Sequence, residues 1–167
     1  GLKDGDRRSG DPVARRFTAE GIAIVLVDYR LSPRAPCPAY IEDAAAAVAW
    51  TIKNIGHYGG DPQRVFVSGH SAGGFLTAMV GLDGSYLGKH GLTPSQLAGL
   101  IPVSGQMVTH STIREERHVP ATTPQIDALA PAFHAANESP PCLCLVGDHD
   151  LPMRMEENVY CAAAFKA

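Results

Sequence analysis

One pentapeptide of this sequence has the residue types and the spacing of a serine nucleophile. Residues 69–73 read Gly-His-Ser-Ala-Gly, a G-x-S-x-G motif centred on Ser71. The motif directly follows the run 64–68, which is typical of a short β-strand, and directly precedes residues 72–82, which are typical of a helix. A sharp turn between strand and helix can hold a serine in a strained conformation with its hydroxyl exposed. The pattern therefore predicts nucleophilic chemistry at Ser71.

The neighbours of Ser71 fit the same interpretation. Gly69 and Gly73 would let the strand and the helix pass close to each other, where a Cβ atom would collide. The backbone N–H of Ala72 would lie at the helix start, beside the oxyanion that forms when a serine attacks a carbonyl carbon. His70 completes the predicted elbow, and its side chain should point away from the serine. A glycine-rich turn with an incidental serine is the alternative.

A serine hydroxyl is a poor nucleophile near neutral pH unless a base takes its proton and a carboxylate holds that base. Asp148 and Asp150 both follow the apolar run 142–146, at what should be the end of a strand. Either carboxylate could serve as the acid. A pair of aspartates that only caps the turn and the next helix is the alternative.

The base is harder to find. When the serine lies on such a strand-to-helix turn, the acid and then the histidine follow it in chain order. Here all seven histidines precede Asp150, and only the 17 residues 151–167 follow it. His149 is too close to that carboxylate in sequence to reach from it to Ser71. A helical crossover takes about a dozen residues, and a strand must follow before the next loop. We therefore expect the catalytic histidine to lie beyond Ala167.

Continuously apolar runs alternate with helical patterns along the chain. This order predicts an α/β fold, a single domain over residues 1–167 with a mostly parallel sheet and helices on both faces. Residues 104–141 are irregular and form a candidate pocket or lid insertion. The predicted strands are 22–27, 64–68, 97–103 and 142–146, and the longer helices start near residues 39, 72 and 153.

Composition excludes several classes of function. The formal charge of −3 is small and of the wrong sign for a phosphate-backbone partner, so no nucleic acid is expected. No apolar run approaches the length of a membrane span. The four cysteines lack the paired spacing of a metal site, and no metal or organic cofactor is predicted.

Several motifs in order are similar to those of the α/β-hydrolase serine esterases, in the carboxylesterase and hormone-sensitive-lipase-like branches. At two positions, Arg34 and His70, the sequence departs from the lipase-like pattern, which often has an acidic residue at each. These departures favour the feruloyl-esterase, acetyl-esterase and kynurenine-formamidase-like relatives. The matching segments are residues 28–31, 38–39, 43, 50, 60–62 and 69–74.

The resemblance carries further expectations about the site. The turn 147–152 matches the family's turn with Asp150 as the catalytic acid. Gly1 resembles the last glycine of the family's oxyanion loop. The strand before that loop would lie between the strands 22–27 and 64–68. The resemblance therefore implies a chain that is incomplete at both ends, without its N-terminal strands and its C-terminal strand.

The predicted function is hydrolysis of small carboxylic esters through an acyl-enzyme on Ser71. An amidase or peptidase of the same fold is one alternative, and a non-catalytic binding protein is the other. Either an acyl pocket or ordinary core packing would explain the apolar residues of the irregular segment. Those residues are Met107, Ile113, Ile126, Leu129 and Phe133. Oligomeric state, compartment and acyl specificity are left open.

Overall fold

Helices and strands alternate along the computed structural model, which describes residues 1–120, 122–136 and 139–166. The predicted helices near residues 39, 72 and 153 are confirmed as α2, α3 and α7. The elements are α1 (Asp11–Thr18), α2 (Ala39–Asn54), β1 (Phe66–His70), α3 (Ala72–Leu82), α4 (Gly84–Gly88), β2 (Gly99–Val103), α5 (Ser111–Glu116), α6 (Pro131–His134) and α7 (Arg154–Ala164).

The sheet is parallel, as the alternation of elements predicts. β1 and β2 run in register, with Phe66 opposite Gly99 and His70 opposite Val103. The run 142–146 joins β2 through two isolated parallel bridges rather than as a continuous strand. Because parallel strands end at the same edge, the residues that follow β1, β2 and this run lie near one another.

Helices α2 and α3 form the core on one face of the sheet. α3 lies against both strands and α2 packs on α3. Tyr40 and Ile41 of α2 and Phe75 and Met79 of α3 are completely buried, together with other apolar side chains. On the opposite face the described residues leave Phe66 and its neighbours on the sheet about half exposed.

The segment 22–30 differs from its prediction. It is not helical, and no strand among the described residues pairs with it. Ile22, Ile24 and Val25 are each more than a third exposed, so the expected strand over 22–27, buried on both faces, is wrong. A strand needs a hydrogen-bonded neighbour, and here a cleft of about 300 Å³ lies between residues 25–29 and β1, with no backbone hydrogen bond across it among the described residues. This cleft lies where the resemblance places a further strand.

No helix among the described residues has both the length and the apolar character needed to cross a bilayer.

The open cleft leads to a prediction about residues 1–167 expressed alone. Unpaired backbone along 23–29 and the exposed edge of β1 should favour association, because such edges template strand pairing. We expect aggregation, binding of a hydrophobic dye and a broad thermal transition by circular dichroism. A monomeric chain with one sharp, dye-free transition would contradict this expectation.

Candidate active site

Ser71 occupies a strained turn between β1 and α3. Its backbone angles, φ 56° and ψ −115°, lie outside the regions that residues with a side chain normally adopt. Its N–H donates to the carbonyl of Val103 at the end of β2 (2.8 Å), and its own carbonyl accepts from the N–H of Phe75 (3.1 Å). These two bonds hold the turn, and Ser71 stays half-buried at the sheet edge.

Close backbone approach explains the glycines, though not all of those expected. A Cβ on Gly69 would lie 2.5 Å from the backbone of Gly73, and one on Gly74 would lie 2.7 Å from Gly105. A Cβ on Gly73 would meet no described atom within 4 Å, because this residue faces the open cleft. Within the described part of the chain, no close contact requires glycine at position 73, so the steric reason predicted for it is not observed.

An open cavity of about 360 Å³ lies in front of Ser71. Its walls come from four places in the chain: residues 1–4, the elbow, the loop after β2 with the start of α5, and the turn into α7. Gly1 and Ala72 line it together with the serine, although they are far apart in sequence. The carbonyl of Gly1 accepts from the hydroxyl of Tyr29 (2.9 Å), which fixes the position of this terminal segment.

The two aspartates after residues 142–146 have different surroundings. Asp148 is 87% exposed and lies 4.0 Å from His149, which is exposed as well. Asp150 is half-buried, and its pKa is lowered mainly by a hydrogen bond from the Ser104 side chain and then by the N–H of Leu151 (2.7 Å). Asp150 is thus an ionised carboxylate near the end of β2, the same strand end to which the N–H of Ser71 is hydrogen-bonded.

No histidine among the described residues hydrogen-bonds to Ser71. His70 is exposed at the end of β1. The sequence did not predict His110 as a site residue, yet this buried residue of the loop after β2 lines the Ser71 cavity. Its ring packs on Phe75 (5.1 Å between centroids).

His110 is poorly suited to act as the base. Its Nδ1 accepts from the N–H of Thr112 (3.2 Å), which puts the proton of the neutral ring on Nε2. Burial, followed by the charges of Arg154 and Arg114, lowers its pKa to about 4. An effective general base has a pKa near the working pH, so His110 is instead a neutral donor in the cavity wall.

The apolar residues proposed for an acyl pocket do not line this cavity. Met107 and Ile113 are fully buried in the two core clusters, so packing explains them. Ile126 and Phe133 are about half exposed. Among the described residues no group of three metal-binding side chains gathers at the site or elsewhere.

Four residues of the site were not predicted from the sequence: Ser104, Gln106, His110 and Arg154. The last three line the cavity, and Ser104 joins Asp150 to the end of β2. For Ser104 and Gln106 the position just after a predicted parallel strand was a usable signal, because side chains that follow such strands gather at one edge of the sheet. His110 and Arg154 lie several residues beyond the strand ends and carried no such signal.

The surroundings of His110 give a prediction about pH. In the complete protein its imidazole should titrate with a pKa of about 4 by NMR, well below the ordinary value of 6.5. The unfolded chain binds this proton at a higher pH than the folded chain does. The contribution of the neutral ring to the free energy of unfolding is therefore complete above about pH 6.5 and is lost as the pH falls toward 4. Arg154→Met should raise the midpoint by removing a nearby positive charge. A midpoint above 6 in the unaltered protein would contradict this account.

Comparison with known proteins supports the fold and identifies similar sequences. Carboxylesterase NlhH of Mycobacterium tuberculosis is 38% identical over 122 residues, which cover 71% of this chain and 34% of that protein. Esterase LipQ of the same organism is 39% identical over 80 residues, or 48% of this chain and 19% of that protein. The chain thus spans about a third, or less, of these two relatives.

Solved structures agree with the architecture. The apo form of Thermogutta terrifontis esterase 2 superposes with a TM-score of 0.81 at 25% identity, over 99% of this chain and 64% of that one. An esterase from Pyrobaculum calidifontis gives a TM-score of 0.76 at 25% identity, over 97% of this chain and 59% of that one. The sequence profile described as alpha/beta hydrolase fold matches residues 4–167, and the chain belongs to this α/β-hydrolase family.

Proposed function

We propose that the protein is a serine hydrolase that cleaves carboxylic esters. The observation that carries the proposal is the strained turn at Ser71, which opens onto a cavity at the start of α3. In the proposed reaction the Ser71 hydroxyl attacks the acyl carbon. The alcohol leaves, an acyl-serine ester remains, and water then releases the acid.

The surroundings of Ser71 suit the charge that this reaction develops. The N–H of Ala72, at the first turn of α3, can donate to the oxyanion, and the helix dipole favours negative charge there. Gly1 lines the same cavity, and we assign a second donor to the loop that ends at this residue. The esterases named among the relatives support an ester rather than an amide as the substrate.

Asp150 is the acid of the proposed triad. The side chain of Ser104, at the end of β2, is the main cause of the lowered pKa of this carboxyl, which favours its ionised form. The base that it would orient is a further histidine, since His110 is a neutral donor with a lowered pKa. The sequence predicts this histidine beyond Ala167, and the greater length of the relatives agrees with that proposal.

Covalent labelling tests the nucleophile. A fluorophosphonate should modify the complete protein at Ser71, identified by peptide mass spectrometry, and Ser71→Ala should abolish the signal. Ser68→Ala is the matched control, because Ser68 is an exposed serine on β1 whose hydroxyl donates to the carbonyl of Ile101 (2.9 Å). Labelling that survives Ser71→Ala would contradict the proposal. Residues 1–167 alone should be barely labelled, because no histidine among the described residues hydrogen-bonds to Ser71 and the pKa of His110 is lowered to about 4.

Replacement of the two aspartates tests the acid. Asp150→Asn should lower kcat/KM for 4-nitrophenyl butyrate by about 10³- to 10⁴-fold, as expected when a triad histidine loses its orienting charge. Asp148→Asn removes a carboxylate that is 87% exposed and should change the rate little. Equal losses in the two variants, or a larger loss at Asp148, would overturn the assignment.

A further inference from the structure

The cavity in front of Ser71 contains a buried cation. Arg154, on the first turn of α7, is only 8% exposed and lines the cavity wall. It forms no ion pair with any carboxylate of the described residues within 4.0 Å. Buried charges are normally paired, because an ion taken out of water loses its solvation. A buried guanidinium that faces a substrate cavity is therefore suited to an anion brought by the substrate.

Two neutral donors lie in the same wall. His110 is buried and presents Nε2–H, since its Nδ1 already accepts from Thr112. The side-chain oxygen of Gln106 accepts from the N–H of Ser111 (3.0 Å), which leaves the amide NH₂ group to donate. The wall around Arg154 therefore offers an anion both a positive charge and further hydrogen-bond donors.

The carboxylates near the cavity do not cancel this positive wall. Asp4 is 89% exposed, and Glu115 pairs with Lys3. Asp150 is close enough to Arg154 for that charge to help lower the pKa of its carboxyl, but its carboxylate accepts hydrogen bonds from other groups. The guanidinium is thus not paired with any of these carboxylates and can bind an anion in the cavity.

Backbone contacts place this cation and the nucleophile at the same strand end. The guanidinium of Arg154 donates through Nη1 to the carbonyl of Ser104, while the N–H of Ser71 donates to the carbonyl of Val103. Val103 and Ser104 are consecutive, with Cα atoms about 3.8 Å apart. An anion on Arg154 and a carbonyl carbon attacked by Ser71 would therefore lie in the same cavity, at the same strand end.

We propose that Arg154, with His110 and Gln106, binds a carboxylate of the substrate, so that the preferred esters are half-esters of short dicarboxylic acids. This inference rests on the proposed function, since it places the scissile carbonyl at Ser71. The monoester of succinate is a short member of this class, with two methylene groups between its carboxylate and the ester carbonyl. A guanidinium suits a carboxylate because its parallel N–H groups match the two oxygens.

Binding to a protein that cannot turn over tests the inference. In the complete Ser71→Ala protein, calorimetry should compare monoethyl succinate with ethyl 4-methylpentanoate, in which an isopropyl group replaces the carboxylate at nearly the same shape. We expect the half-ester to bind roughly 10- to 100-fold more tightly, as for hydrogen bonds to a charged group. Equal affinity, or tighter binding of the neutral ester, would overturn the inference.

Substitutions of Arg154 test whether this residue causes the tighter binding of the half-ester. Arg154→Met should remove most of it, and Arg154→Lys should keep part of it, because lysine retains the charge and a donor for Ser104. Arg16→Met is the matched control, since Arg16 is an exposed arginine of α1 paired with Glu20, and the preference should not change. A preference that survives unchanged in Arg154→Lys and Arg154→Met would place the anion elsewhere and refute the site. If Arg154→Met does not fold, the comparison of Arg154→Lys with Arg16→Met gives the answer.

Failure of this inference differs from failure of the proposed function. If the protein is not a serine hydrolase, fluorophosphonate leaves Ser71 unlabelled whatever the calorimetry gives. If only the anion site is wrong, Ser71 is labelled and neutral esters bind as well as the half-ester.

Discussion

The N–H of Ser71 donates a 2.8 Å hydrogen bond to the carbonyl of Val103, and this contact ties the turn after β1 to the end of β2. The turn needs such an anchor because a non-glycine residue at φ 56° is strained. Glycine backbones on both sides make the approach possible, since a Cβ at Gly69 or Gly74 would collide with neighbouring backbone. The position of the serine hydroxyl thus depends on how β1, β2 and α3 pack.

The peptide after Val103 extends the same arrangement to the rest of the site. Ser104 donates its N–H to the carbonyl of Leu145 (2.7 Å) and accepts from Arg154 through its own carbonyl, and its side chain is the main cause of the lowered pKa of Asp150. Two consecutive residues at one strand end therefore fix the candidate nucleophile, the candidate acid and a buried cation. A shift of this strand end would move all three groups together.

Local pattern was enough to predict the helices and the elbow. The apolar spacing of α2 and the strand-to-helix change at Ser71 are signals carried by neighbouring residues. The segment 22–27 has the composition of a strand, but a strand also needs a neighbour to bond with, and the cleft beside it removes that neighbour. His110 and Arg154 could not be placed from spacing alone, because they meet only when β2 and the run 142–146 pair.

The central claim, that Ser71 becomes covalently bound to the acyl group during turnover, can be tested without an inhibitor. The complete protein would be mixed with an activated ester, quenched in acid within milliseconds and digested for mass spectrometry. The peptide containing Ser71 should gain the mass of the acyl group, and this adduct should disappear as substrate is exhausted. Turnover of the ester with no acyl adduct at any time, or an adduct on another residue, would contradict it.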